Sequence, residues 1–261
     1  MERLKGPGFP LLCMDLGNTS TSYAVYRGGR LEKLNHVDSN KFPYIVSNIL
    51  INEGIVPSGH ALLSSVVPRL TLKVKKSIGR KLASKLWVIG GNLSVPLRHK
   101  YFNIHKLGSD RRVNLYGAAK LYGAPVLILD FGTALTCDYV SEKGVFMGGL
   151  IIPGPEISLQ ALSHKAALLP QIPFPKQYKE FIGKDTVGGM KAGVLQGYGA
   201  MTDGLIERFR RRFGRKLRAI ATGGLSPVLY PYTSQIDILD PSLTLKALAE
   251  VFKDRVLKIS S

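Results

Sequence analysis

The sequence contains two short segments of one pattern, and this repetition constrains the fold more than any other feature. In residues 11–26 an apolar run ends in Asp15, Gly17 follows two positions later, and small hydroxyl and amide residues lead into a second β-prone run. Residues 126–140 repeat this pattern around Asp130. Apolar runs separated by such residues predict a strand, a tight turn and a second strand. We therefore expect an internal duplication in which each hairpin opens a domain.

The turns of both hairpins have a composition that suits an anion. Backbone N–H groups of a glycine-containing turn can converge on a phosphate, and hydroxyl groups add further donors. Asp15 ends its strand, where its carboxylate can hold a metal ion or the waters of that ion beside the anion. For a single copy, an ordinary hairpin with a polar turn is the alternative. Two copies favour phosphate binding across a cleft, an arrangement that resembles the actin-like and sugar-kinase superfamily.

Length and composition indicate a globular protein. The 261 residues, 45% of them apolar and 8% aromatic, can bury a core in one large domain or two moderate ones. Residues 1–10 lack the apolar centre of a signal peptide, and no run approaches the length of a membrane span. We therefore expect a cytoplasmic protein with no membrane partner. Cys13 and Cys137 are expected to be buried reduced thiols, and the five scattered histidines indicate no zinc site.

The net charge of +18 is concentrated in two stretches without acidic residues, 69–85 and 208–218. Such a surface attracts polyanions, but it is also what the solvated face of a basic protein looks like, which is the interpretation that we favour. A nucleic-acid-binding regulator is the alternative from another functional class, and salt-sensitive DNA binding by these stretches would identify it. The chain contains no recognised reading element such as a zinc finger, so nucleic acid is not expected as a partner.

The rest of the chain predicts alternating helices and strands. Helices are expected at residues 43–50, 70–82, 112–122, 156–162, 186–213 and 242–257, and strands at 61–67, 86–89, 150–152 and 217–221. Loops are expected at residues 90–106 and 168–178.

The predicted helix at residues 186–213, with Asp185 or Thr186 as its cap, carries an unusual stripe of glycines. Gly189, Gly193 and Gly197 share one face, although each glycine costs about 1 kcal/mol inside a helix. The stripe indicates that another helix packs very close to it. That helix can belong to the same chain or to a second copy in a two-fold dimer.

The segment from Gly108 to Arg111 directly precedes the helix predicted at residues 112–122. Ser109 or Asp110 would serve as an ordinary N-cap, and the residues alone favour this interpretation. In the functional interpretation, Asp110 accepts a proton from an alcohol and Arg111 binds a carboxylate bidentately at the positive helix end.

Eight motifs occur together in one order: Asp15-Leu-Gly-Asn-Thr19, Ser65-Val-Val-Pro68, Gly108-Ser-Asp-Arg111, Asp130-Phe-Gly-Thr-Ala-Leu-Thr136, Gly148-Gly-Leu-Ile-Ile-Pro-Gly154, Asp185-Thr186, Thr222-Gly-Gly224 and Asp240-Pro-Ser-Leu-Thr-Leu-Lys246. In this combination the sequence resembles type III pantothenate kinase over residues 12–252. The resemblance implies ATP-dependent phosphorylation of pantothenate to 4'-phosphopantothenate, the first step of coenzyme A synthesis.

The resemblance also implies a homodimer of α/β chains, each with two actin-like (ribonuclease H-like) domains of mixed sheets flanked by helices. We expect these domains at residues 1–122 and 123–261, with an ATP cleft between them.

The resemblance further implies the site residues. The expected ATP contacts are Asp15, Leu16, Gly17, Asn18, Thr19, Ser20, Thr21, Ser22 and Thr133. The expected pantothenate contacts are Tyr101, Gly108, Ser109, Asp110, Arg111 and Thr186. Among these, Asp110 is implied as the proton acceptor, and Thr186 is implied to come from the partner subunit. The resemblance also implies that Asp130 holds a monovalent cation, K⁺ or NH₄⁺, and that Mg²⁺ accompanies ATP.

Two features of the chain depart from the family pattern. Ser109 stands where the family most often has alanine, and we expect its hydroxyl to be tolerated. The high positive charge is not a family feature. Because the family has also been associated with accessory transcription factors, the nucleic-acid-binding alternative on the same fold stays open. Another rival is a sugar kinase or acetyl-type kinase of the same superfamily, against which Arg111 argues because it suits a carboxylate better than sugar hydroxyls.

Overall fold

The computed structural model describes residues 10–82 and 86–257, and for residues 80–82 it describes only the backbone. The segment on which the signal-peptide expectation rests therefore lies almost entirely outside the described residues, as do residues 83–85 of the basic stretch 69–85. Across the described part of the chain, no helix combines the length and the apolar character needed to cross a membrane.

Strands and helices alternate along the chain much as the sequence predicts. The strands are β1 Leu11–Leu16, β2 Ser20–Arg27, β3 Arg30–Leu31, β4 Asn35–Asp38, β5 His60–Ser65, β6 Leu86–Val88, β7 Arg98–His99, β8 Val126–Phe131, β9 Ala134–Val140, β10 Val145–Pro153, β11 Arg218–Thr222 and β12 Ile238–Leu239. The α-helices are α1 Phe42–Asn52, α2 Pro68–Leu82, α3 Ser109–Tyr122, α4 Pro155–Lys165, α5 Thr186–Phe213, α6 Ser226–Leu229 and α7 Leu243–Phe252.

The chain forms two compact units. Among the described residues, the first unit consists of residues 10–82, 86–121 and 242–257, and the second consists of Tyr122–Pro241. The second unit begins at Tyr122, whereas the second domain is expected from the sequence to begin at residue 123, and residues 242–257 belong to the first unit rather than to the second. Helix α7 contacts β1, β2 and β5, and its Leu248 and Phe252 share a core cluster with Leu11. The amphipathic pattern predicts that α7 buries one face, but the pattern does not specify which sheet covers that face.

The two units repeat one strand arrangement, which confirms the internal duplication. The first sheet has the order β3-β2-β1-β5-β6, and the second unit has the order β10-β9-β8-β11-β12. In each, the opening strand pairs antiparallel with its hairpin partner and parallel with a later strand. Strands β1 and β8 also share one burial pattern, in which four buried residues precede a part-exposed aspartate and a buried apolar residue.

Alternating residues of the sheets fill separate cores. In the first unit, Leu12 and Met14 pack in the cluster that contains α1 and α2, whereas Cys13 packs in the cluster that contains α7. In the second unit, one face of the sheet packs against α5. Cys13 and Cys137 are buried free thiols, as expected. Burial raises the pKa of the Cys13 thiol well above its ordinary value, and burial, with a smaller contribution from Asp138, raises the pKa of Cys137 to about 12.

Several boundaries differ from those expected. The strand expected at residues 61–67 ends at Ser65, and the loop expected at residues 90–106 contains the short strand β7. Helix α3 begins at Ser109, so Ser109 and Asp110 lie in its first turn and the expectation that one of them is the N-cap was wrong. The cap of α5 is Asp185, whose Oδ1 accepts a 2.7 Å hydrogen bond from the N–H of Gly188.

Helices α3 and α7 of the first unit approach each other at Gly117. A Cβ atom placed on Gly117 would lie 2.0 Å from Cβ of Ala247 and 2.7 Å from its Cα. Real non-bonded carbon atoms do not approach so closely, so glycine is required for this helix pair to pack as it does.

We predict that Gly117→Ala lowers the melting temperature. Overpacking typically costs about 1–3 kcal/mol, which outweighs the gain of about 1 kcal/mol from replacing a helical glycine by alanine. Thermal unfolding followed by circular dichroism measures the effect. Gly79→Ala in α2 is the matched control, because no atom of the described residues other than the backbone of α2 itself lies within 4 Å of its added Cβ, and it should leave stability unchanged or raise it. A Gly117→Ala variant as stable as Gly79→Ala would contradict this account of the packing.

Candidate active site

The turn between β1 and β2 is narrow and presents three polar residues to solvent. The N–H of Gly17 donates to the carbonyl of Ser20 over 3.2 Å, and a Cβ on Gly17 would lie 2.9 Å from that carbonyl oxygen. Asn18, Thr19 and Ser20 are exposed. Their side chains are therefore open to solvent at the positions where phosphate contacts are expected from the sequence.

The remaining expected ATP contacts of this hairpin lie in other surroundings. The side chain of Leu16 is in the core, so only its backbone could reach a ligand. Thr21 is buried, and its hydroxyl lies 3.0 Å from Oγ of Ser39. The hydroxyl of Ser22 lies 3.0 Å from Nδ1 of His36 on β4. The exposed tip of the turn thus holds Asn18, Thr19 and Ser20 side by side. The hydroxyl of Thr21, in contrast, is hydrogen-bonded to Ser39 inside the first unit.

The turn between β8 and β9 is held by the end of β10. The N–H of Gly132 donates to the carbonyl of Ala134 over 3.1 Å, and Thr133 between them is exposed. The N–H of Gly154 donates to the carbonyl of Thr133 over 3.1 Å. A Cβ on Gly154 would lie 2.3 Å from the oxygen of Thr133 and 2.5 Å from that of Gly132. Only glycine therefore permits this contact, which fixes the backbone that carries Thr133.

Asp130 lies at the end of β8 beside a second group of oxygen atoms. Thr222 pairs with Asp130 in the parallel register of β8 and β11, so both side chains project to one face of the sheet. The hydroxyl of Thr222 is buried and has no hydrogen-bond partner among the described residues. Gly223 follows with φ of +89°, and a Cβ there would lie 2.3 Å from Oδ1 of Asp130. Carboxylate and hydroxyl oxygens are suitable ligands for a hard cation.

The start of α3 is pinned to the end of β5 by Ser109. The hydroxyl of Ser109 donates to the carbonyl of Ser65 over 2.8 Å and accepts from the N–H of Ser65 over 3.0 Å. It also lies 3.1 Å from Oγ of Ser64. Ser109 is buried, so its contribution to the expected substrate site is to hold the first turn of α3 in place.

The next two residues of α3 carry opposite charges at the helix start. Oδ1 of Asp110 accepts a 2.7 Å hydrogen bond from the N–H of Arg111, and both residues are half-buried. A Cβ on Gly108 would lie 2.4 Å from Oδ1 of Asp110, so glycine leaves the space that the carboxylate occupies. The helix N-terminus stabilises a carboxylate here by about 0.3–1 kcal/mol. The first turn of α3 thus carries a carboxylate that can accept a proton and, at the next position, an arginine.

Two expected substrate contacts lie elsewhere in the chain. Tyr101 is half-buried in the segment that precedes the 3₁₀ turn Ile104–Lys106. Thr186 is the exposed first residue of α5 and belongs to the second unit.

The glycine stripe of α5 lines an open apolar groove beside α4. Apart from the backbone of α5 itself, no atom of the described residues lies within 4 Å of a Cβ placed on Gly189, Gly193 or Gly197. These glycines, Thr186 and apolar residues such as Leu162 line the groove, which has a volume of about 590 Å³. The alternative that a helix of the described chain packs closely on the stripe is therefore not what the structure shows.

The fold agrees with that of actin-like and sugar-kinase proteins. A ROK hexokinase from Thermus thermophilus has a TM-score of 0.50 at 13% identity, covering 97% of this chain and 99% of that one. A protein from Campylobacter jejuni assigned to the Baf family of transcriptional activators has a TM-score of 0.61 at 18% identity, covering 93% and 98%. At such identities the likeness shows the fold alone. The two duplicated hairpin units therefore have the fold of the actin-like and sugar-kinase superfamily.

The family of the chain follows from its sequence relatives. The type III pantothenate kinase family matches residues 11–208. A type III pantothenate kinase from Bacillus cytotoxicus is 34% identical over 251 residues, which cover 93% of this chain and 95% of that protein. The chain belongs to the type III pantothenate kinase family. The predicted class, an ATP-dependent kinase that acts on pantothenate, is thereby confirmed, and the nucleic-acid-binding alternative is not favoured.

Proposed function

We propose that this protein transfers the γ-phosphoryl group of ATP to the primary hydroxyl of pantothenate, with Asp110 as proton acceptor. The observation that carries this assignment of roles is the start of α3, where Asp110 and Arg111 follow one another and Ser109 ties them to β5. A carboxylate suits the hydroxyl of the substrate, and a guanidinium group suits its carboxylate through two parallel hydrogen bonds.

The proposed reaction transfers one group and one proton. The hydroxyl oxygen of pantothenate forms a bond to the γ-phosphorus, the bond from that phosphorus to the β–γ bridging oxygen breaks, and ADP leaves. Asp110 takes the proton of the hydroxyl as the new bond forms. Phosphoryl transfer has a loose transition state, so positioning and charge neutralisation supply most of the catalysis. The exposed turn residues Asn18, Thr19, Ser20 and Thr133 hold the phosphates through hydroxyl, amide and backbone donors.

The residues at the ends of β1 and β8 fit the metal ions that the family implies. Asp15 is placed to hold Mg²⁺ or its waters, and the ion when bound neutralises charge that develops on the phosphates. Asp130 would hold K⁺ or NH₄⁺, and the unpartnered hydroxyl of Thr222 at the same level of the sheet supports a site made of oxygen atoms.

We also propose that the groove along α5 is covered by a second copy of the chain. The groove is apolar, and its three glycines leave room for a closely packed helix. A contiguous exposed apolar surface of this kind is typical of an interface. Thr186 lies in the lining of the groove, which suits its expected role as a residue that reaches the pantothenate site of the partner.

We predict that Asp110→Asn lowers turnover by at least about a hundredfold, because asparagine keeps the size of the side chain but cannot take a proton. The variant should melt within a few degrees of the wild type and still bind ATP. A coupled assay with pantothenate, ATP, Mg²⁺ and K⁺ measures turnover, with Glu142→Gln at an exposed carboxylate as the control. Near-normal turnover of Asp110→Asn would remove the proposed base.

We predict that activity depends on the monovalent cation. Replacing K⁺ by Na⁺ at constant ionic strength should reduce the rate sharply, because the smaller ion is poorly matched to a site built for K⁺ or NH₄⁺. In Asp130→Asn the rates in the two salts should converge at a low value. Equal rates of the wild-type enzyme in both salts would exclude the proposed role of Asp130.

We predict that Gly193→Leu disrupts the dimer. A leucine side chain would fill the groove at the position where the partner helix is proposed to pack closest. Light scattering should show a shift towards monomer, together with reduced activity, whereas Gly79→Leu on α2 should stay dimeric. A Gly193→Leu variant that is dimeric and fully active would place the interface elsewhere.

A further inference from the structure

Ser39 makes three contacts with the turn between β1 and β2, although it lies outside the hairpin in sequence. Its hydroxyl donates to the carbonyl of Gly17 over 2.8 Å, and its N–H donates to the carbonyl of Thr19 over 3.1 Å. Its Oγ also lies 3.0 Å from Oγ1 of Thr21. Both Ser39 and Thr21 have a relative exposure of 0%, so water does not reach their hydroxyl groups.

The directions of these hydrogen bonds follow from the number of protons. Ser39 has one hydroxyl proton, which it gives to Gly17, so the hydroxyl of Thr21 must donate to Ser39. One side chain therefore joins the first and the last part of the turn. Alanine at position 39 would leave the part-buried carbonyl of Gly17 and the buried hydroxyl of Thr21 without this partner.

Strand β4 brings Ser39 to this position. It pairs antiparallel with β2 and places Asp38 opposite Ser20, so the next residue along the chain reaches the turn. The three groups that Ser39 contacts belong to residues 17, 19 and 21, so they span the exposed segment 18–20. Ser39 thus stabilises the turn through hydrogen bonds on its buried side and is not itself exposed to solvent.

We propose that Ser39 is a positioning residue that sets the affinity of this turn for the phosphates of a nucleoside triphosphate. The inference rests on the proposed function, in which the turn binds the phosphates of ATP. A turn that is already fixed loses less conformational entropy when it binds than one that must first be ordered. Loosening the turn should therefore weaken nucleotide binding while the acceptor site at α3 keeps its own anchor, Ser109.

The test compares Ser39→Ala with Ser77→Ala. Ser77 is a matched control, because its hydroxyl donates a 2.8 Å hydrogen bond to the carbonyl of Pro43 in the same unit and does not touch the turn. Ser39→Ala should raise the dissociation constant of ATP, measured by calorimetry without pantothenate, by on the order of tenfold. It should raise the KM for ATP equally, and the KM for pantothenate should change less than twofold. Ser77→Ala should change none of these constants.

A double-mutant cycle with Thr21→Val separates positioning from a general loss of stability. Because Ser39 and Thr21 share one hydrogen bond, the double variant should bind ATP about as weakly as Ser39→Ala alone, and valine should recover part of the lost melting temperature. Thr21→Val also tests the proposal if Ser39→Ala is too unstable to study, because it removes the other end of the same hydrogen bond. An unchanged ATP affinity of Thr21→Val in that case would overturn the proposal.

The variant Thr19→Ala distinguishes the failure of this inference from failure of the proposed function. If Thr19→Ala weakens ATP binding and Ser39→Ala binds ATP within twofold of the wild type, the positioning role of Ser39 is wrong and the turn still binds ATP. If neither variant changes ATP affinity, the turn is not the phosphate site and both proposals fall. An equal loss of ATP affinity in Ser39→Ala and Ser77→Ala would also overturn the role of Ser39.

Discussion

The structure depends on the mixed pairing of the opening strand in each unit. Asp15 lies opposite Ser22 on the antiparallel side and opposite Ser64 on the parallel side, and Asp130 lies opposite Thr136 and Thr222 in the same way. Side chains alternate along a strand, so a slip of one residue would move each aspartate to the opposite face of its sheet. The burial of the four preceding residues fixes the register, and the register places the carboxylates.

Close backbone contacts then shape the surroundings of these carboxylates. A Cβ on any of three glycines would come within 2.5 Å of an oxygen atom. For Gly154 that oxygen belongs to the turn between β8 and β9, for Gly223 it belongs to Asp130, and for Gly108 it belongs to Asp110. A larger residue at any of these positions would displace a functional group rather than an inert one. The glycines of these motifs are therefore explained by the space that the site needs, and only Gly223 of the three also needs its positive φ.

The sequence predicts the local parts of this structure well and the non-local parts poorly. Both hairpins are contiguous in sequence, and an apolar run that ends in a polar turn is enough to predict them. Ser39 was missed because it lies 22 residues from Gly17, after a short half-exposed strand with no apolar alternation. The basic stretch at residues 208–218 illustrates the same limit, since its Arg210 pairs with Asp237, an acid 27 residues further along the chain.

The anchors of both turns are uncharged, and electrostatics gives a reason for this. Ser39 holds the first turn through a hydroxyl and an N–H group, and Gly154 holds the second through an N–H group. A carboxylate in either place would repel the phosphates that the turns are proposed to bind, and a buried cation would lose its hydration without facing them. A small neutral donor satisfies the carbonyls of the turn and leaves the field at its exposed side unchanged. Rigidity and affinity for an anion are therefore compatible here because the stabilising contacts carry no net charge.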